Sequence, residues 1–315
     1  MQRWYITFHG GSRSHDWNNI HAFDLSGKPV GKMLDTTGLP RGMELRELRG
    51  FAFGNDGDLY VSNAWEGGSH ILRFSGSLND RGRHEFREVF VEQHASNPAL
   101  SHPFDVTFGS DGHLFVPSQD TNVVTRYFGP TASTSPGAPM PVPPAVRALG
   151  LPNVPPGTFV PSHHHADHGL TAVRGTAFGP DDNLYVVDRD ENAVKIYDGR
   201  SGHHVKTIRH RVLASPIHIL PQPDSRRLLV GSRDRHAIIA IDVDTGECNE
   251  FITSGSGGLR SPGGFAFGPD GNLYVASRDT RRILRYHPES GIPDNRPFIA
   301  DLHDLPEFLR LVDGN

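Results

Sequence analysis

The sequence has a single cysteine, Cys248, in 315 residues. No internal disulfide can form, and nothing in the cysteine usage points to an oxidising compartment. Long apolar runs are missing too. No stretch approaches the roughly 20 residues that a membrane-spanning helix needs, and the N-terminal "MQRWYITFHGG" has no apolar run of signal-peptide length. Positive charge is not in excess: 31 Lys and Arg stand against 36 Asp and Glu, a formal net charge of −5. The electrostatic footprint of a nucleic-acid binder is therefore absent. These absences lead to the expectation of a soluble, cytoplasmic monomer whose partner is a small molecule, not a nucleic acid or a membrane.

Hydrophobic residues make up only 36%, yet the chain carries 35 Gly and 25 Pro. That mixture suits many short strands and tight turns better than long helices. An internal repeat gives it order. Residues 50–76 read "GFAFGNDGDLYVSNAWEGGSHILRFSG", 105–129 "DVTFGSDGHLFVPSQDTNVVTRYFG", 175–202 "GTAFGPDDNLYVVDRDENAVKIYDGRSG" and 263–291 "GGFAFGPDGNLYVASRDTRRILRYHPESG". A divergent copy, "HILPQPDSRRLLVGSRDRHAIIAIDVDTG", spans 218–246. "FAF" and "LYV" are short strands, and the "GPDG" between them is a tight turn in which Gly accepts positive φ and Asp bonds nearby backbone. "ILRYH" is a third strand. Variable fourth strands follow at "VKTIRH" (205–210), "CNEFIT" (248–253) and "RPFIAD" (296–301). Four short antiparallel strands at a period of about 45 residues mark a β-propeller blade.

The two ends complete the count. "RWYITFHGG", "NIHAFDLSG" and "PVGKMLD" supply strands two to four of the first blade, and "LPEFLRLVDG" (305–314) matches "LRGFAFGNDG" and supplies its innermost strand. The expectation is an all-β protein, one six-bladed propeller over residues 1–315, closed between its two ends and interrupted by a Pro-rich insertion at 129–171.

The segment "GFAFGPDGNLYVASRDTRRILRY" resembles the NHL-type repeat. The whole chain is similar to the six-bladed superfamily of streptogramin (virginiamycin B) lyases, peptidyl-hydroxyglycine amidating lyases and the gluconolactonase/SMP-30 group. The resemblance implies an active site at one mouth of the central channel, on the face where loops enter strand one and join strands two and three. Departures from the repeat on that face are the candidate site residues. One position of strand one reads Gly50, Asp105, Gly175, His218 and Gly264, with Glu307 aligned to it in the closing strand. The preceding position holds Arg49 and Arg174. Two arginines there suit a bidentate grip on a carboxylate or phosphate; equally, each suits pairing with an acid such as Glu47 or Asp105.

The turn after strand two repeats as "SQD", "DRD", "SRD" and "SRD", and these aspartates read as caps of backbone donors. Blade one continues from His9 into "GGSRSHDWNN", and blade two has "SNAWEGG" with Trp65 and Glu66; both loops are placed to wall a pocket. The insertion ends in "PSHHHADHG" (161–169), which leads into a first strand. Imidazole suits zinc and its neighbours, and the amidating lyases bind zinc through histidines of separate blades. His102, His168 (or His165 in its place) and His218 lie at the entries of consecutive blades and are the candidate ligands of one divalent ion, zinc by expectation, with Asp105 as fourth ligand or as orienter of an imidazole. His70, His84, His203, His204 and His287 read as surface residues.

The functional expectation is a metal-assisted lyase, with a lactonase-type hydrolase as second choice, acting on a small anionic or carbonyl-containing substrate of the specialised-metabolite kind. His218 or His102 is the general base, and Arg49 and Arg174 are the anchors. Two departures from the resembled families stand out: the blade-six entry "SPGG" carries neither the lyases' histidine nor the lactonases' asparagine, and only Glu307 corresponds to the lactonases' acidic ligand. The other reading is a non-catalytic propeller that presents a rigid platform to a protein or small ligand.

Overall fold

A computed structural model of the chain describes residues 1–9, 17–64, 68–163 and 168–313. Each repeat folds as its residues dictate. Aromatic and branched residues in the paired triplets favour extended backbone. The turn between them closes on a glycine at positive φ: Gly57 (82°), Gly112 (76°) and Gly271 (77°). A Cβ is disfavoured in that region, and blade four fills the place with Asp182 at 60°, a short polar side chain that tolerates it. The turn aspartate then braces the next strand. The hydroxyls of Tyr60, Tyr185 and Tyr274 donate to Asp56, Asp181 and Asp270, each at 3.0 Å. Asp270 also accepts the Asn272 N–H at 3.1 Å. Asp270→Ala is expected to lower stability by about 0.5–2 kcal/mol, seen as an earlier denaturant midpoint at unchanged slope. An unshifted midpoint would show that water replaces the carboxylate without loss.

Asp120 and Asp190, after strand two, bond to side chains and not to the backbone donors they were expected to cap. Asp120 accepts from the Ser101 hydroxyl at 3.1 Å and Asp190 from Arg189 Nε at 2.8 Å, side chain to side chain. Backbone capping in blade four falls instead to Asp188, which accepts the N–H groups of Thr171 and Ala172 at 2.9 and 3.0 Å.

Six sheets stand around one axis as the blades of a propeller. The strand Pro306–Val312 pairs antiparallel with Arg3–Phe8, with Arg3 opposite Val312 and Ile6 opposite Leu309. The C-terminal segment thus supplies the innermost strand of blade one, as the sequence match implies. Two blades depart from four strands. Blade six has three, Pro262–Phe267, Leu273–Ser277 and Arg282–Tyr286; its expected fourth, "RPFIAD", makes only a single bridge from Ile299 to Ile283. Pro297 has no N–H to offer a ladder there. Blade two has five, because Leu34–Asp35 of blade one's last segment crosses over and pairs parallel with His84–Glu92. The insertion replaces blade three's outer strand with Thr158–Val160 and adds a one-turn helix, Pro144–Arg147.

The cores lie between neighbouring sheets. Leu229, Ile238 and Ile252 of blade five, for example, pack with Phe265, Val275, Leu284 and Tyr286 of blade six. A fully buried side chain of this size contributes about 1.5–3 kcal/mol. Apolar bulk between the blades leaves the axis to the innermost strands' own side chains. His70 and His84, expected at the surface, are buried at 8% and 2% exposure. His84 Nδ1 lies 2.6 Å from the Ser75 carbonyl and its Nε2 lies 3.0 Å from the Tyr5 hydroxyl, which makes it a polar strut between blades one and two. No helix among the described residues is long and apolar enough to cross a membrane.

Candidate functional site at the channel mouth

The innermost strands enter the ring through a shared kink. The residue before the strand has positive φ in four blades: Glu47 (49°), His102 (54°), Ser215 (51°) and Ser261 (51°). Because the conformation recurs, it belongs to the fold and is not strain confined to a site. Pairing then fixes the levels of the channel. Leu48, Pro103, Val173, Pro216, Pro262 and Pro306 stand opposite Asn63, Ser118, Asp188, Ser232, Ser277 and Phe8 of the second strands. One residue further along, Arg49, Phe104, Arg174, Ile217, Gly263 and Glu307 form the first level. The next comprises Gly50, Asp105, Gly175, His218, Gly264 and Phe308. Glu307 therefore stands level with the arginines, one residue away from its sequence alignment with Asp105 and His218. The prolines at 103, 216, 262 and 306 mark the true register in the sequence.

That shift makes the mouth an ionic cluster. Glu307 is 4% exposed. Its Oε1 lies 3.3 Å from Arg49 Nη1 and 3.1 Å from His9 Nδ1, and its Oε2 lies 2.9 Å from Arg278 Nε. Burial alone would raise this carboxyl, but Arg278, His9 and Arg49 outweigh burial and hold it at about 2. Gly263 leaves room for the closing strand and for Arg278 alike: a Cβ there would stand 2.9 Å from the Glu307 and Pro306 carbonyl oxygens and 3.1 Å from Arg278 Cγ. Arg278 belongs to one of the "SRD" turns, and attention to the aspartate of that motif passes over the arginine. The double glycine Gly263–Gly264 is the sequence signal of a close approach: a Cβ on either would stand within 3.0 Å of the closing strand's backbone. His9 Nδ1 is also 2.8 Å from Arg49 Nη1, so the ring accepts from Arg49 in one tautomer and donates to Glu307 in the other.

The two candidate anchors separate here. Arg49 is 4% exposed and committed internally, to Glu307 and, through Nη2, to Glu47 Oε2 at 3.2 Å. Arg174 is different. It gives one Nη1 bond to the Val173 carbonyl at 2.6 Å and lies over the Phe104 ring at 5.8 Å. No carboxylate among the described residues lies in ion-pair contact with it. Burial, with Arg189 adding repulsion, lowers its pKa to about 10; it stays charged at neutral pH and has charge to spare. Beside it, His102 is held between two carboxylates, Nε2 3.4 Å from Glu47 and Nδ1 3.7 Å from Asp120. Burial, then Arg49, and Arg174 after the opposing acids, lower its pKa, so the imidazole is neutral near pH 7 and a quarter exposed.

The three described candidates for a histidine metal site, His102, His168 and His218, are not brought together. His102 is at the mouth. His218 is deeper, 6% exposed between the rings of Phe265 and Phe308 at 4.9 and 5.1 Å, all but perpendicular to both. His168 lies out at the rim, stacked 4.2 Å from His204 of the outer strand His204–Arg209, while its carbonyl accepts from Tyr197 Oη at 2.6 Å. The insertion runs to the edge of blade four before it turns inward, which carries the histidine run away from the channel. Among the described residues no three His, Cys, Asp or Glu side chains are grouped to hold an ion. His165, Trp65 and Glu66 lie outside the described residues. Asp105 lies with His218 on the second level, 1% exposed, and not with His102.

No protein-family model matches the chain, and no curated protein matches it. Solved structures do. A catalytically inactive virginiamycin B lyase from Staphylococcus aureus with quinupristin is 16% identical, over 94% of this chain and 85% of that one, with a TM-score of 0.57. The periplasmic gluconolactonase of Pseudomonas aeruginosa is 16% identical over 100% and 99%, TM-score 0.55. A chain of a nidogen/laminin complex is 13% identical over 99% and 98%, TM-score 0.67. Likeness at these identities reaches the fold alone, and the chain is a six-bladed β-propeller.

Proposed function

We propose that the channel mouth is the active site of a lyase or hydrolase acting on a small anionic substrate, with Arg174 as its anchor and His102 as its base. The observation that carries this reading is Arg174, a cation over an aromatic ring with no carboxylate partner among the described residues, beside a neutral histidine. Both reaction types use the same two parts. In elimination, His102 takes the proton next to the carbonyl; the C–H electron pair becomes the new double bond, and the leaving group departs with its own pair. In hydrolysis, His102 takes a proton from the water that attacks the carbonyl. In either case Arg174 holds the carboxylate or the developing oxyanion, and Glu47 and Asp120 orient the ring and stabilise its imidazolium. Fold-mates named as a virginiamycin B lyase and a gluconolactonase support a reaction of this class. Among the described residues the histidines expected to bind zinc are not grouped around a shared ion, and both reactions run on His102 and Arg174.

The test is a panel of lactones and cyclic ester peptides read by mass spectrometry. Ring opening by elimination leaves the mass unchanged, whereas hydrolysis adds one water. On a substrate that turns over, Arg174→Gln is expected to raise KM at least about tenfold. His102→Asn is expected to lower kcat by about 10²–10⁴ with unchanged melting. Turnover retained by both variants would reject the assignment.

A further inference from the structure

Below the mouth the channel changes character. Phe104, Ile217 and Phe308 are buried in one apolar cluster, with the Phe104 and Phe308 rings 5.3 Å apart. Phe104 and Ile217 on the Arg49–Glu307 level and Phe308 on the next form a septum across the channel. Beyond it lies a separate chamber of about 270 Å³. Its lining runs from buried Asp105 and His218 to half-exposed Phe108, Phe178 and Pro221 at the far ends of the innermost strands, so it opens on the face opposite the mouth.

One residue of this chamber breaks the repeat. At the level where five blades place Ala52, Thr107, Ala177, Leu220 and Ala266, the closing strand places Arg310. The guanidinium is half-exposed into the chamber, and none of the ion pairs among the described residues includes it. Asp105 and His218 act on it only at longer range. Three further polar side chains face the same space. His218 Nδ1 is buried with no hydrogen-bond partner. The hydroxyls of Thr107 and Thr176, 2.9 Å apart, line the wall between Asp105 and the opening. The other walls are apolar: Ile219, Phe265 and Leu309. Burial raises the Asp105 carboxyl to about 6 against the pull of Arg310, so in mildly acidic solution it offers an O–H donor in place of a repelling charge.

We propose that this chamber is a second binding site, independent of the mouth, for a small monocarboxylate with an apolar body. The carboxylate would sit on Arg310 with the threonine hydroxyls and His218 in reach, and the body against Phe265 and Leu309. A single guanidinium matches one negative charge. A phosphate dianion would bring a second charge towards Asp105 with no further cation to meet it.

Calorimetric titration of the full chain with sodium benzoate tests this. One saturable site is expected, and benzyl alcohol, the neutral analogue, should bind at least about tenfold more weakly. Arg310→Gln should weaken benzoate at least about tenfold, whereas Arg174→Gln should leave it within about twofold; this contrast separates the chamber from the mouth. Should Arg310→Gln fail to fold, Ala266→Leu narrows the chamber without altering charge and should abolish binding. Absence of saturable benzoate binding, equal binding of the alcohol, or loss of binding through Arg174→Gln would overturn the proposal.

Discussion

A chain that stops at residue 304 is expected to lose cooperative unfolding altogether. The deleted strand, Pro306–Val312, carries Phe308, Leu309 and Val312, all buried. Each such side chain contributes about 1.5–3 kcal/mol. The deletion also bares the edge of Arg3–Phe8, an open template for another chain. Arg49 and Arg278 lose the acid that both face, and removal of one partner from a buried ion pair alone costs about 3–5 kcal/mol. The sum reaches the ~5–15 kcal/mol that holds a whole domain. Thermal unfolding followed by circular dichroism, with gel filtration for aggregation, checks it; a truncated protein that melts as the full chain does would show that ring closure carries little weight.

Glu307→Gln is the second large effect: a loss of about 3–5 kcal/mol at neutral pH, because buried Arg278 loses the carboxylate it faces and buried Arg49 keeps only that of Glu47. The pH dependence has a definite sign. The folded carboxyl is held at about 2, below its ordinary 4.5. Its contribution, about 3 kcal/mol at 1.36 kcal/mol per pKa step, is full above pH 4.5 and lost as pH falls through about 2. Neutral, buried His218 acts in the same direction: its folded value of about 3 lies below 6.5, so stability declines as acid is added across that interval. Asp105 opposes both. Its raised value, about 6, gives a contribution that is full below 3.8 and lost as pH rises through 6. Denaturant titrations of wild type and Glu307→Gln at pH 7, 5 and 3 should show two curves that converge in acid. A constant gap would mean that Glu307 is not ionised in the folded protein.

The fold was legible because its signals are local and repeated. A "PDG" turn, an alternating triplet and a glycine at positive φ recur in blade after blade, and closure follows from a seventh partial copy. The site was legible only in part. Arg49, Arg174, Asp105, His218 and Glu307 all reach the channel, since departures from a repeat on strand one must do so. Their grouping did not follow. A one-residue offset in the closing strand lifts Glu307 to the arginines and sets Arg310 in the channel below, and a match made through the turn residues cannot register it. Arg278 enters from the neighbouring strand's turn, into space that Gly263 vacates, a relation between blades and not within one. His168 is near strand one in sequence but not near the axis, because the insertion before it detours to the rim.

The crossover of Leu34–Asp35 onto blade two has a bearing on how copies of this molecule meet in concentrated solution. The outermost backbone of a blade is where a foreign strand adds most readily. On blade two that position is already occupied by the chain's own residues, with Leu34 beside His84 and Asp35 beside Glu85. Blades four and five keep open rims, but these carry charge of opposite sign: Lys206 and Arg209 on one, Glu247 and Glu250 by the other. A strand approaching either would have to displace those groups, two of them held in ion pairs with Glu191 and Arg235, so these blades resist lateral sheet growth.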